Sequence, residues 1–178
     1  SATCEVAFED CRLPADALMG RQNDGFRVAV SELAGGRIGI AGLALGIARA
    51  AMDAGIAYAS ERRQFDRAIS DMQGIQWMIA DRETELEAAR LLILQAAWLK
   101  DQGRPFAKAA SMAKLYASEA AQRATYTALQ IHGGAGYLAD YPVERYARDA
   151  RITTIYEGTS EIQRLIIARE ILASARAG

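Results

Sequence analysis

The chain has 178 residues and a net charge of −1, with charged residues of both signs interspersed along it. This length suits one domain with a sizeable core, and the charge balance excludes the global basic field of a nucleic-acid binder. The only two cysteines, Cys4 and Cys11, lack metal-ligand spacing, which excludes a disulfide scaffold and points to a reduced intracellular protein. The opening residues show no secretory signal pattern. The longest uncharged apolar run, Ile38 to Ala48, falls short of the ~20 residues a membrane helix needs, so no membrane span is expected.

Thr3 to Glu9 alternate, with Cys4, Val6 and Phe8 on one face and Glu5, Ala7 and Glu9 on the other, which is the period of a strand. Asp10 to Pro14 reads as a turn or a second short strand. A lone hairpin lacks ladder partners. Those partners are expected upstream of Ser1, and a chain starting without Met reads as a processed or excised piece. Asn23-Asp24-Gly25 offers a helix start, and a helix is predicted from Phe26 to about Arg62. Gly35, Gly39, Gly42 and Gly46 share one face of it, each costing up to ~1 kcal/mol against Ala. Either another helix or a ligand is expected to approach that face closely.

Arg62, Arg63 and Arg67 then surround Phe65. Ser70 and Gln73 have capping-box spacing, and a second helix is predicted from about Asp71 to Asp101 on the apolar stripe Ile75, Met78, Ile79, Leu86, Ala89, Ile93, Ala96 and Ala97. After the Gly103 and Pro105 break, a third helix is predicted from about Phe106 to Ile131, ending at Gly133-Gly134-Ala135-Gly136 as a C-cap and turn. A short helix follows from about Val143 to Asp149. The β-branched run Ile152-Thr153-Thr154-Ile155 reads as extended. Ser160 and Gln163 repeat the capping-box spacing before a last helix from Glu161 to about Ala175. The fold class is therefore all-α: an up-down-up-down four-helix bundle with a short extra helix, preceded by a remnant β-strand or hairpin.

A single histidine, His132, and no Glu-x-x-His pair exclude a di-iron carboxylate site, and no metal site is predicted. No Cys-x-x-Cys-His haem attachment is present, and His132 has no nucleophile motif beside it. It reads as a loop side chain or a ligand contact. Gly133-Gly134-Ala135-Gly136 follows a helix rather than a strand, so it is not a Rossmann fingerprint. The bundle reads as a platform for a brought-in cofactor. Glu157, beside Gly158, is either an acid at the positive end of a helix dipole or the best-placed acid/base group.

The run Tyr156-Glu157-Gly158-Thr159-Ser160-Glu161-Ile162-Gln163 resembles the C-terminal motif of the flavin-dependent acyl-CoA dehydrogenases. So do Glu61-Arg62-Arg63-Gln64-Phe65, Gln130-Ile131-His132-Gly133-Gly134 and Arg148-Asp149-Ala150-Arg151-Ile152, in matching order and spacing over essentially the whole chain. Gly36-Arg37-Ile38-Gly39-Ile40-Ala41 is most similar to the short-chain members.

The resemblance implies that residues 1–22 end a preceding β domain and that residues 23–178 form the C-terminal bundle of a homotetramer in the bacterial cytoplasm or mitochondrial matrix. It implies FAD as cofactor, acyl-CoA as substrate and an electron-transfer flavoprotein as acceptor. Glu157 would be the catalytic base, with Arg37 and Gly158 near the acyl-CoA. Thr159 and Glu161 would contact the cofactor after the base. Arg62, Phe65, Gln130, Gly133 and Gly134 would reach the flavin nucleotide of a neighbouring subunit, and Ile69 and Gln73 would also bind the cofactor. The implied reaction removes an α-proton, passes the β-hydride to the flavin and yields a trans-2-enoyl-CoA. The chain alone is expected to be inactive.

Three positions depart from the family's pattern: Asp66 stands where a Gly often follows the Phe, Ala34 where many members carry an acid, and Gly36 where some relatives carry their base. Two other readings remain: an acyl-CoA oxidase-like or other flavin enzyme of the same superfamily, and a non-catalytic helical assembly module.

Overall fold

The computed structural model describes residues 4–177. The four long helices are α1 (Gly25–Glu61), α2 (Gln73–Asp101), α3 (Ala107–His132) and α5 (Ser160–Ala177), with the short α4 (Val143–Arg151) before the last. α3 is the hub: it packs on α1, α2, α4 and α5, whereas α5 packs chiefly on α3. The reason lies in its side chains. Ala110, Ala113, Ala117, Ala120, Ala121, Ala124 and Ala128 form a buried face with little bulk, so neighbouring backbones come close. α1 answers with Ala41, Ala44, Ala48 and Ala51. At Gly55 a side chain would start 3.3 Å from the Cα of Ala128, so the closest crossing needs a glycine. Leu86 and Met52 fill the wider part of the core. Truncating either to Ala costs roughly 2–5 kcal/mol. Arg49 bonds Glu83 between α1 and α2, and Arg123 bonds Glu85 at 3.0 Å between α3 and α2.

By length and composition α1 could cross a membrane. Its apolar face is instead the wall of the bundle core, and Arg37 lies buried within it.

The strand expected from Thr3 to Glu9 is corrected. Thr3 lies outside the described residues, and residues 4–9 are exposed and belong to no ladder. The described residues give them no strand to pair with. A hairpin that the sequence did not announce lies at the far end of α1: β1 (Arg63–Gln64) pairs antiparallel with β2 (Arg67–Ala68). Its two-residue turn, Phe65-Asp66, has φ of 51° and 63°, the left-handed geometry that Asn-Gly usually supplies. This is why glycine suits the position that Asp66 holds.

Two local expectations fail. Ser70 sits inside a 3-10 turn, Ile69–Asp71, and Met72 caps α2 without a side-chain bond, so that capping box does not form. Ile152–Thr154 is a 3-10 turn rather than extended, because the hydroxyls of Thr153 and Thr154 donate back to the carbonyls of Ala150 and Arg151. The C-cap and turn expected at Gly133–Gly136 are found: Gly133 (φ 60°) caps α3, and the turn is the 3-10 stretch Gly133–Tyr137. The glycine face of α1 is only partly met. Gly39, Gly42 and Gly46 have nothing nearby among the described residues, whereas Gly35 abuts the Lys100 ammonium and Gly36 abuts Glu157.

Candidate active site

The turn at Ile152–Thr154 swings the following segment back over α3 and α1, and α5 starts where it lands. Thr159 is the helix cap, its hydroxyl accepting the Ile162 amide at 3.4 Å. The predicted cap, Ser160, instead donates to the Glu119 carboxylate at 2.8 Å. Gln163 does reach back, but to different atoms: its buried amide nitrogen donates to the carbonyls of Glu157 (3.2 Å) and Gly158 (2.8 Å). Lys114 of α3 donates to the same Gly158 carbonyl at 2.8 Å. Both residues of this turn are left-handed, Glu157 at φ 55° and Gly158 at φ 90°. That conformation is uncommon for a residue with a side chain, and here it is held by its carbonyls.

The turn aims the Glu157 carboxylate at α1. A Cβ on Gly36 would lie 2.7 Å from Glu157 Oε2 and 3.1 Å from its Cδ. Glu157 is half-buried, and its Oε2 has no hydrogen-bond partner among the described residues. One helix position on, Arg37 is 7% exposed, and its Nε is likewise buried and unpartnered. Burial pulls the Arg37 guanidinium below its usual pKa, while the Glu157 charge opposes this. Burial, and then Glu157, raise the Tyr156 phenol. Two buried polar atoms of opposite character, both without a partner among the described residues, call for an explanation in a native fold. A basic carboxylate lone pair and a cationic donor facing a substrate would supply one.

Thr159 and Glu161 lie beside this centre, in a cleft of about 290 Å³ shared with Glu119, Gln122, Arg151 and Thr154. The Glu161 carboxyl is held below the usual range by its own backbone amide and by the Thr159 hydroxyl.

The remaining predicted cofactor residues gather elsewhere. Arg62, Phe65 and Gln73 are exposed on and after the hairpin, and Gln130, Gly133 and Gly134 are exposed at the C-terminal end of α3. Ile69 ties the two together from inside, in a small cluster with Ala59 and Ile131. From Arg37 to Arg62 along α1 is 25 residues, ~37 Å at the helical rise. The predicted residues therefore form two groups at opposite ends of the bundle. His132 is corrected: it is buried, stacked on Tyr58 at 4.3 Å and edge-on to Tyr141, with Nδ1 bonded to the Ala128 carbonyl at 2.8 Å. It is a structural side chain of the helix end.

Lys114 was not singled out from the sequence, and Gln163 was read only as part of a cap. Spacing carried a signal for the lysine. It stands four residues after Ala110 and three before Ala117, on the inner face of α3.

The model for "Acyl-CoA dehydrogenase, C-terminal domain" matches residues 23–172. Over 172 residues the chain is 54% identical to the acryloyl-CoA reductase (NADH) of Anaerotignum propionicum, covering 97% of this chain and 44% of that protein. It is 52% identical over 176 residues to the mitochondrial short-chain specific acyl-CoA dehydrogenase of Rattus norvegicus, covering 99% and 43%. The butyryl-CoA dehydrogenase of Megasphaera elsdenii superposes with a TM-score of 0.91 at 44% identity, over 93% of this chain and 43% of that one. The chain spans less than half the length of these relatives. With the bundle, the motif residues and these likenesses agreeing, the chain belongs to the acyl-CoA dehydrogenase family and corresponds to its C-terminal helical domain.

Proposed function

We propose that this chain is the base-bearing domain of an FAD-dependent acyl-CoA dehydrogenase, and that Glu157 removes the α-proton of an acyl-CoA thioester. The observation that carries the reading is the Glu157 carboxylate itself: half-buried, left-handed in its backbone, pressed on Gly36 and unpartnered at Oε2. A thioester α-proton is weakly acidic, so its removal needs a positioned base and stabilisation of the developing oxyanion. The glycine at position 36 leaves Glu157 without a rival carboxylate there. Arg37 lies beside it as a cation that stays charged. When bound, FAD supplies the hydride acceptor for the β-carbon.

The hairpin end suits a dinucleotide. Arg62 and Arg67 take part in no ion pair among the described residues, and a Cβ added at Gly133 or Gly134 would meet nothing within 4 Å, so backbone there is open to a ligand. Guanidinium forks beside open backbone match a pyrophosphate. Because Arg62 lies ~37 Å along α1 from Arg37, which neighbours the Gly36 that Glu157 abuts, we assign this group to the cofactor of a neighbouring subunit. Thr159 and Glu161 would then contact the cofactor of their own site. Exposed Trp77, Leu91, Leu94 and Trp98 on α2 and Leu165 and Leu172 on α5 are the apolar surface that a tetramer would cover. Two half-sites on one chain also imply that the chain alone does not turn over. An electron-transfer flavoprotein is the acceptor that family membership suggests.

A second reading is the reverse direction, enoyl-CoA reduction, in which Glu157 returns the proton to the α-carbon. The similarity to an acryloyl-CoA reductase favours keeping it. The deciding experiment is anaerobic titration of the FAD-loaded intact protein with butyryl-CoA. Bleaching of the flavin supports dehydrogenation. An enzyme that binds the thioester without bleaching, yet whose flavin, once reduced with dithionite, is reoxidised by an enoyl-CoA, is a reductase. Absence of both refutes the family chemistry for this chain.

A further inference from the structure

Lys114 heads the largest wholly buried side chains, and the reaction proposed above makes no use of it. Its ammonium makes one hydrogen bond, 2.8 Å to the carbonyl of Gly158. Lysine is seldom fully buried unless paired, and an apolar side chain of similar volume would fill the same space without the cost of burying a charge. The charged groups that face it are Arg37 from α1, Glu119 from α3 itself, Glu157 from the turn and Glu161 from α5. Among the described residues no carboxylate is hydrogen-bonded to it. What the ammonium holds is backbone.

That backbone is the one that needs holding. Glu157 and Gly158 are both left-handed, and glycine carries that conformation freely whereas glutamate does not. Two buried donors converge on their carbonyls: the Gln163 amide from α5, bonding both, and the Lys114 ammonium from α3, bonding the second. Gln163 moves with α5, which begins only two residues after Gly158. Among the described residues Lys114 makes the direct hydrogen bond from the hub helix to the backbone of the turn, and Ser160, at the start of α5, is bonded to Glu119 of the same helix; the turn is thereby joined to the frame that carries Gly36 and Arg37.

We propose that Lys114 is a positioning residue for the base, its ammonium fixing the Glu157–Gly158 turn to α3 so that the Glu157 carboxylate stands at Gly36 with its lone pair free. This rests on the reading of Glu157 as the base. A reactive group displaced by about 1 Å can lose about a hundredfold in rate while the binding surface stays intact. The signature of positioning is thus a slower chemical step at unchanged affinity.

The test uses the intact FAD-loaded protein with Lys114→Met, which keeps the volume and removes the donor, and Lys114→Gln, which keeps a shorter donor. Three quantities are read: the single-turnover rate of flavin reduction by butyryl-CoA, the Kd for butyryl-CoA, and hydrogen exchange of the amides of residues 156–159. For Lys114→Met the expected result is a rate lowered at least tenfold, with Kd and FAD content within threefold of wild type and faster exchange confined to the turn. Should Lys114→Met fail to fold, Lys114→Gln decides by the same split, with a rate loss beyond threefold. In a Glu157→Gln background, Lys114→Met should add less than threefold, because the two act as a unit. A folded variant with its rate within threefold of wild type overturns the inference. So does one that loses rate, Kd and FAD together, since that marks a general core role. If Glu157→Gln itself leaves the rate intact, the base reading has failed. If Glu157→Gln abolishes reduction while Lys114→Met does not slow it, only the positioning role has failed.

Discussion

Gly36→Ala separates the stability of α1 from the placement of the base. Gly36 is helical and interior, so Ala there gains up to ~1 kcal/mol of helix propensity. Its new Cβ would stand 2.7 Å from Glu157 Oε2, 3.1 Å from Cδ and 3.3 Å from Oε1. Ordinary contact begins near 3.4 Å, so the carboxylate must retreat by about 0.7 Å, the difference between the 2.7 Å contact and that distance. The obstructing atoms are the end of a side chain, which can swing, so the strain is small. Net stability should stay within about 1 kcal/mol of wild type, in either direction. The chemistry should not be spared, because a shift approaching 1 Å costs on the order of 10–100-fold in rate. Stopped-flow flavin reduction by butyryl-CoA, with thermal unfolding in parallel, measures both. A variant that reduces flavin at the wild-type rate would show that the observed contact does not define the working position of Glu157. One destabilised by more than about 2 kcal/mol would show that the glycine serves packing instead.

At the other end of α1, Arg62→Ala should leave stability within about 0.5 kcal/mol, because the side chain is exposed. FAD retention and tetramer stability should both weaken, and unchanged cofactor affinity on dialysis would contradict the assignment across subunits. Burial, then the Arg37 charge, lower the Lys114 pKa to about 8 from the usual 10.5, so between those values the unfolded chain holds more protons than the folded one. Stability contributed at this site should therefore rise as pH increases through that window. Denaturant unfolding of wild type against Lys114→Met should show wild type gaining on the variant from about pH 8 to 10.5, and a constant or reversed gap would refute the buried cation. A chain-length series of acyl-CoA thioesters should peak among the short chains, and a maximum at twelve carbons or beyond would overturn the short-chain reading.

The bundle was legible because its helices are long and punctuated. Gly103-Arg104-Pro105 and Gly133-Gly134 end apolar stripes that no strand could carry. Glu157 could be read as a candidate base only through the company of the other motifs, since its spacing alone equally fits a helix-end charge. Short elements were misread because one hydrogen bond decides them. Thr153 and Thr154 have the β-branching of an extended segment, but their hydroxyls find the carbonyls of the preceding turn. At Ser160 the spacing of a capping box was present, but Thr159 took the cap and Ser160 turned to Glu119 on another helix, a partner no local pattern reveals. The hairpin escaped notice because Phe65-Asp66 is not a turn sequence and two-residue strands are too short to alternate. Lys114 was hidden by its type: a lysine reads as solvent-facing until the register of its alanine neighbours is followed.

The most direct test of the account is Glu157→Gln in the intact, FAD-loaded protein. Glutamine keeps the size and the polar contacts of the side chain and removes the proton acceptor. FAD content and acyl-CoA affinity should be retained, because the predicted contacts for both lie mostly on backbone, arginine and apolar groups. The quantity to measure is the rate of flavin reduction in a single anaerobic turnover with butyryl-CoA. Loss of the base predicts a fall of ~10²–10⁴-fold or more. A helix-end charge with no part in the reaction predicts a stability loss of ~0.3–1 kcal/mol and a rate within tenfold of wild type, and that outcome would remove Glu157 from the mechanism.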